Sequence, residues 1–281
     1  MTTENEKLRV VEITQQDSKI KIPQKSIDCM RLVTWNCHGK FYEKFEKILT
    51  LDADIYIISE SVDPEASKFS NYLQFQNFSE KYLWNESSKN DGISVGIFVK
   101  KQHILKVNDN GYDDSNFISS NFHSAQYSFN IIGMWPRWPE KPEDECCAQE
   151  VCNYLKKHTE INLNYIIAGD MNIDAKYPRQ SKACKDKTKQ IIKYLNEDKK
   201  LFSAYHEYSG EEHEKETMKT YYFGGKYYDH EKGDGTSHLD YVFLNKEKFE
   251  IVKVYLGEKK DWLELSDHIP LIIDFKEKGL K

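Results

Sequence analysis

Glu60, Asp170, Asn172, Asp240, Asp267 and His268 border short apolar runs scattered along the chain. Their settings are Asp54-Ile55-Tyr56-Ile57-Ile58-Ser59-Glu60, Ala168-Gly169-Asp170-Met171-Asn172, His238-Leu239-Asp240-Tyr241-Val242-Phe243 and Ser266-Asp267-His268-Ile269-Pro270. Thr34-Trp35-Asn36 adds an amide. Such runs are strand-forming, and strands from distant parts of a chain can deliver polar groups to one pocket. Carboxylates, amides and a histidine, with no Ser or Cys nucleophile motif, suit metal-assisted attack of water on a phosphate ester.

Each residue type has a chemical reason to be there. Glu60, leaving a strand, offers the oxygen that a hard divalent cation prefers. Asn36 can support that metal shell or bind a phosphate oxygen; by itself it would read as a turn-former. His38 continues that turn, either near the metal or as a solvated histidine. Asp170 and Asn172, spaced by two, point the same way from one strand end. Asp170 can orient and deprotonate water, and Asn172 can donate to a phosphoryl oxygen as charge builds on it. Protonated His268 would stabilise a pentavalent phosphate, with Asp240 orienting the imidazole and raising its pKa. Asp267 either completes the metal shell or fixes His268. The bland alternatives are a solvated Glu60, an Asx turn at Asp170 and a satisfied core histidine at His268; together in one chain they are weak.

A chain of 281 residues fits one large domain or two small ones. The polar residues 1–28 read as a tail or one added edge strand, and residues 29–281 as one domain. A net charge of −6 argues against a protein that coats DNA. It does not exclude a nuclease, because a bound cation brings its own positive charge. Lys176, Arg179, Lys182, Lys185, Lys187, Lys189 and Lys193 follow the Asp170 motif. They form either a solvated loop and helix face or a phosphate-attracting rim. The cysteine spacing fits no zinc pattern, and adjacent Cys146 and Cys147 are awkward for a disulfide framework. With no apolar leader or membrane-length run, the expectation is a reduced, cytoplasmic protein.

Strands are expected at Met30 to Trp35, Asp54 to Ser59, Ile93 to Lys100, Phe117 to His123, Tyr127 to Trp135 and Tyr165 to Ala168. Later strands fall at Thr217 to Phe223, Leu239 to Leu244, Phe249 to Leu256 and Leu271 to Phe275. Helical spacing marks Phe41 to Leu51, Glu65 to Phe75, Glu143 to His158 and Asp186 to Leu195. Buried runs, helices between them and late hairpins imply two packed sheets covered by helices.

Taken together and in this order, over about residues 30–275, the motifs resemble the endonuclease/exonuclease/phosphatase superfamily. The resemblance implies a four-layer α/β/β/α sandwich: two mainly antiparallel sheets flanked by helices. It implies a Mg²⁺- or Mn²⁺-dependent phosphodiesterase or phosphatase. It gives Asn36 and Glu60 metal roles, Asp170 water activation and Asn172 phosphate binding, and it pairs Asp240 with His268. Thr34-Trp35-Asn36-Cys37, Ser203-Ala204-Tyr205-His206 and Thr220-Tyr221-Tyr222 are similar to a bacterial group within the superfamily that brings no known substrate.

Two departures stand out. Many members carry a histidine or tyrosine on the strand before the central helix; here that strand ends in Trp135-Pro136-Arg137. Indole cannot act as an acid, so Arg137 gripping phosphate, or His206, would have to fill the gap. His38 stands where apurinic endonucleases carry an acid, which argues against close kinship with them. The leading expectation is a nuclease or nucleotide phosphodiesterase acting on DNA or RNA, supported by the lysine run and the tyrosines at 221–228. The alternatives are hydrolysis of a small phosphoester, such as a phosphoinositide, nucleotide or sugar phosphate, and a catalytically silent binding module. Chelation separates the last from the others.

Overall fold

In the computed structural model, the described residues are 24–26, 28–65, 82–85, 92–108, 116–137, 146–176, 181–224 and 235–279. The run Val10 to Ile13 and the helix expected beyond Glu65 lie outside them.

The first six-stranded sheet runs β13 (Phe249–Leu256), β14 (Leu271–Glu277), β1 (Met30–Asn36), β2 (Ile55–Val62), β4 (Ile93–Val99), β3 (Tyr82–Trp84). The second runs β5 (Ile104–Val107), β6 (Phe117–His123), β7 (Ser128–Met134), β8 (Tyr165–Asp170), β12 (Asp240–Leu244), β9 (Phe202–Ser203). Among the described strands, only β1 with β2 and β7 with β8 pair in parallel. Those are the pairs joined through a helix, as parallel neighbours require: α1 (Phe41–Leu49) and α2 (Cys147–Lys157). Beyond these come α3 (Lys182–Lys193) with a π-helical turn at Tyr194–Asp198, α4 (Ala204–Ser209) and α5 (Lys259–Trp262).

The period-2 alternation of side chains explains the layering. On β1 and β2, Leu32, Ile55 and Ile57 enter the core between the sheets. Val33, Trp35, Tyr56 and Ile58 face the other way, onto Phe41, Phe45 and Ile48 of α1 and Trp262 of α5. The second sheet repeats this: Ile131 and Ile166 point between the sheets, Ile132 and Ile167 outward to Val151 and Leu155 of α2 and Ile191 of α3. Both faces of each sheet are covered, which is why these strands read as unbroken apolar runs.

Three expectations are corrected. The strand at Thr217 to Phe223 shrinks to β10 (Tyr221–Tyr222), paired with β11 (Thr236–Ser237) in a ribbon apart from both large sheets. The helix at Asp186 starts earlier, at Lys182, because the Ser181 hydroxyl caps it by accepting from the Cys184 N–H. Finally, Cys146 and Cys184 form a disulfide, with Cα atoms 6.0 Å apart, so the cysteines are not all reduced. The pair is 38 residues apart in sequence and meets where α3 packs on α2, an approach that spacing does not encode. Cys29, Cys37, Cys147 and Cys152 remain thiols. No helix among the described residues is long and apolar enough to cross a membrane.

Buried charge ties the first sheet to the turn before β2. Arg31 grips Asp274 across β1 and β14 with two bonds, 2.6 and 2.8 Å. Asp54 accepts from the Arg31 N–H at 2.8 Å and from Lys25, with His103 3.5 Å away. Burial opposes the charge on Asp54, but His103, Lys25 and the Arg31 N–H outweigh it and hold the carboxyl at about 2, below its usual 3.8. A carboxylate depressed on folding stabilises the protein above its unfolded pKa, and that contribution fades as pH falls through the folded value. Asp54→Asn should therefore lower stability at neutral pH by roughly 2 kcal/mol. The gap from the parent should close between about pH 4 and pH 2. Urea titrations along that pH series check it; a gap that is constant with pH would refute the assignment.

Candidate active site

The polar residues gather where strands of both sheets end. Asp240 on β12 lies directly opposite Asp170 on β8. On the other sheet Asn36 closes β1, beside Ser59 of β2. Glu60 follows at a bulge, where the β2–β4 register shifts between Ile58 and Ser61. Its left-handed φ of 55° re-aims the backbone at that point. His268 comes from the loop leading into β14. Its N–H donates to the Ser266 hydroxyl, which in turn donates to the Asn36 carbonyl. The Trp35 indole N–H donates to the His268 carbonyl at 3.0 Å.

Two acidic groups facing each other across a buried ladder repel, so something must sit between them. His268 does: Nδ1 is 2.8 Å from Asp240 Oδ2, and Nε2 is 3.9 Å from Asp170 Oδ2. Asn36 Nδ2 spans the sheets, donating to Asp170 at 2.9 Å and to Glu60 at 3.0 Å. Burial disfavours an imidazolium, but Asp240 and Asp170 overcome it and push His268 up, keeping it charged. Burial also pushes the Asp170 carboxyl up, against the pull of His268. Asp240 Oδ1 is buried with no hydrogen-bond partner among the described residues.

The end of β8 and the turn after it are built for close approach. Gly169 has φ 143°, and a Cβ there would lie 1.9 Å from the Met134 carbonyl oxygen of β7. Asn172, at φ 50°, donates its N–H to Asp170 Oδ1 at 3.0 Å, and its Nδ2 to the Pro136 carbonyl at 3.0 Å. This Asx turn fixes the Asp170 carboxylate.

These groups line a cavity of about 330 Å³, with Trp135, Arg137, Tyr221 and Leu239 on its wall. The Arg137 guanidinium lies 4.7 Å from the Trp135 ring centre. Tyr221 packs on the His268 ring at 4.9 Å. His38 holds Asp267 at 3.3 Å; that contact raises His38 and, against burial, lowers Asp267. The Asn36 Oδ1 accepts the His38 N–H at 2.9 Å. Glu60 and Asp267 thus put carboxylate oxygens on the wall beside an amide. That hard-oxygen donor set fits Mg²⁺ or Mn²⁺.

Of the residues named from sequence, Asn36, His38, Glu60, Arg137, Asp170, Asn172, Asp267 and His268 line this cavity, and Asp240 touches it through His268. His206 does not. It lies in a separate cluster with His213 and Glu216, bonded to Ser203 and Glu216. The lysine run is also elsewhere: none of its described members lines the cavity. Lys187 bonds Gln149, while Lys189 and Lys193 pair with Glu214 and Glu197. Leu239 went unrecognised because only the fold brings it to the wall. Tyr221 was visible among the tyrosines at 221–228 and in Thr220-Tyr221-Tyr222, but not as a residue of the site.

Solved structures share this architecture. AP endonuclease LMAP from Leishmania major superposes with a TM-score of 0.61 at 11% identity, covering 90% of this chain and 89% of that one. The human Nocturnin catalytic domain gives 0.60 at 15% identity, covering 89% and 94%. The endonuclease domain of TRAS1, a telomere-specific non-LTR retrotransposon, gives 0.60 at 12%, covering 88% and 98%. None of the curated proteins compared matches the chain in sequence. A family model for endonuclease/exonuclease/phosphatase proteins matches residues 33–268. With that match spanning most of the sequence, and the same fold in the solved structures, the chain belongs to the endonuclease/exonuclease/phosphatase family of phosphoester hydrolases.

Proposed function

We propose that this chain is a Mg²⁺- or Mn²⁺-dependent phosphodiesterase, a nuclease acting on DNA or RNA. The observation that carries this reading is the buried line Asp240–His268–Asp170, braced by Asn36 and open to a cavity with two further carboxylates. A protein that only binds gains nothing from burying charged groups this close, because their desolvation is costly.

Bound between Glu60 and Asp267, with Asn36 alongside, the cation would supply Lewis-acid polarisation of a phosphoryl oxygen. The chain's own groups do the rest. Asp170 orients a water molecule for in-line attack and takes its proton. The His268 imidazolium, held by Asp240, faces the charge that develops on the phosphoryl group. An amide nitrogen carries two N–H donors; Asn172 gives one to the Pro136 carbonyl, which fixes the plane in which the amide meets phosphate. Arg137, placed over Trp135, meets a neighbouring phosphate. The half-buried ring of Tyr221 on the cavity wall suits stacking on a base. Several of the solved neighbours are endonucleases, which supports the same substrate class.

One observation favours the runner-up, a small phosphoester. Among the described residues, the lysines expected to form a rim do not line the cavity, so α3 adds no basic group to its wall. Incubating the purified protein with Mg²⁺ against plasmid, single-stranded DNA, RNA and small phosphoesters decides between them. Polynucleotide cleavage, stopped by EDTA and restored by Mg²⁺ or Mn²⁺, is the expected result. Phosphate release from small esters alone would move the protein to the runner-up. Silence on every substrate would leave the binding module as the better reading.

A further inference from the structure

A second set of ligating side chains lies outside the cavity, where α4 meets the loop after it. His206, His213 and Glu216 each offer one ligand atom, all within 4.8 Å of one another. A tetrahedral ion with nitrogen and oxygen ligands at about 2.0–2.2 Å sets neighbouring ligand atoms roughly 3.3 Å apart. His206 Nε2 and Glu216 Oε1 already stand 3.1 Å apart. His213 stacks on His206 with ring centres 3.6 Å apart. It is only half-buried, so a side-chain rotation can turn its nitrogen toward the gap.

The outer contacts are those a metal site uses to aim its ligands. The Ser203 hydroxyl sits 2.8 Å from His206 Nδ1, so Nδ1–H can donate there and leave Nε2 its lone pair. The Glu214 N–H and Lys219 Nζ hold the Glu216 carboxylate at 2.9 and 3.3 Å. Hydrogen bonding alone does not account for the cluster. His238, 1% exposed and with its ring centre 5.8 Å from that of His206, has an Nε2 with no partner among the described residues. A cavity of about 220 Å³, lined by His213 and Glu216, gives an ion access from solvent.

We propose that His206, His213 and Glu216 form a second cation site, selective for zinc or a similar transition ion over magnesium, that pins the loop leading to Thr220. Two imidazoles and one carboxylate suit zinc, whereas magnesium prefers oxygen alone. The site is therefore chemically distinct from the oxygen-lined cavity. Its leverage runs through Thr220, whose hydroxyl accepts the Leu239 and Asp240 N–H groups at 3.0 and 3.1 Å. His238 Nδ1 lies 3.2 Å from the Met218 carbonyl in the same loop.

The test uses the full chain, stripped of metal and titrated with Co²⁺ as a spectroscopic probe. Glu60→Gln is the background, so that the oxygen-lined cavity is weakened. The expected result is the visible absorption of low-coordinate Co²⁺ at one equivalent, displaced by Zn²⁺ and untouched by excess Mg²⁺. His213→Gln should abolish the band, and with it the rise in melting temperature that Zn²⁺ gives the parent. Absence of the band, or its survival in His213→Gln, would overturn the site. X-ray absorption at the zinc edge covers a variant that fails to fold: scattering from two imidazoles is expected in the Zn²⁺-loaded Glu60→Gln background, and its absence counts against the proposal.

Discussion

Asp170→Asn is expected to lower turnover by roughly 10²- to 10⁴-fold, the range for a positioned general base. The side chain keeps its shape, so the cavity should persist. The expected effect on folding has the opposite sign. Asp170 is 1% exposed, opposite Asp240, and burial pushes its carboxyl up. A neutral amide removes one of two like charges from that ladder position. It also weakens one of the attractions holding the His268 charge, leaving Asp240 as the main partner. The melting temperature should therefore stay level or rise while activity collapses, the pattern of a functional group that strains its surroundings. Steady-state kinetics on the substrate found by the panel, with thermal unfolding on the same samples, measure both. Turnover within tenfold of the parent would remove Asp170 from the role of base. Lost turnover with a much lower melting temperature would make Asp170 a structural residue instead.

That pair of effects also shows what the sequence could and could not reveal. The strands were legible because β1, β2, β8 and β12 are apolar on both faces, and the polar residue at each end interrupts the run. The place of Glu60, Asp170 and His268 on one cavity wall was legible from that interruption. The pairing was less so. Asp240 opposes Asp170 only because β12 docks antiparallel to β8 in one register. Asn36 bridges two sheets, and its bonds to Glu60 and Asp170 depend on how the sheets are stacked. Glu60 reaches the cavity through a bulge that no composition marks. Two expectations from sequence placed residues in the site that the fold puts elsewhere. The lysines follow Asp170 closely, yet α3 lies on the outer face of the second sheet, where Ile191 packs inward. His206 looked like a spare acid for the site, yet α4 commits it to Ser203 and Glu216. Cys146 and Cys184 carried no spacing signal, since only the α2–α3 contact brings them together.

The tightest backbone constraint near the site gives the second large effect. Gly169→Ala should destabilise the fold by roughly 2–6 kcal/mol, from two separate sources. A φ of 143° is open to glycine but strained for any side chain, at about 1–3 kcal/mol. The added Cβ would also meet the Met134 carbonyl oxygen at 1.9 Å and the Met134 carbonyl carbon at 2.9 Å. Those atoms are backbone, so no rotamer change relieves the overlap; β7 and β8 must separate where Met134 pairs with Gly169. Overpacking of this kind costs about 1–3 kcal/mol more. Gly210→Ala is the control. At Gly210 φ is 73° and no atom lies within 4 Å of the added Cβ, so only the backbone strain applies, about 1–2 kcal/mol. Urea unfolding with an unchanged m-value isolates stability from compactness. Equal losses in the two variants would mean that the close approach of β7 to β8 contributes nothing. A larger loss at Gly169 has a functional corollary. Separating these strands displaces Trp135 to Arg137, which follow β7, relative to Asp170, which follows the glycine. The folded fraction of Gly169→Ala should then turn over more slowly than the parent, because the base and the cavity wall no longer hold the same water and phosphate in line.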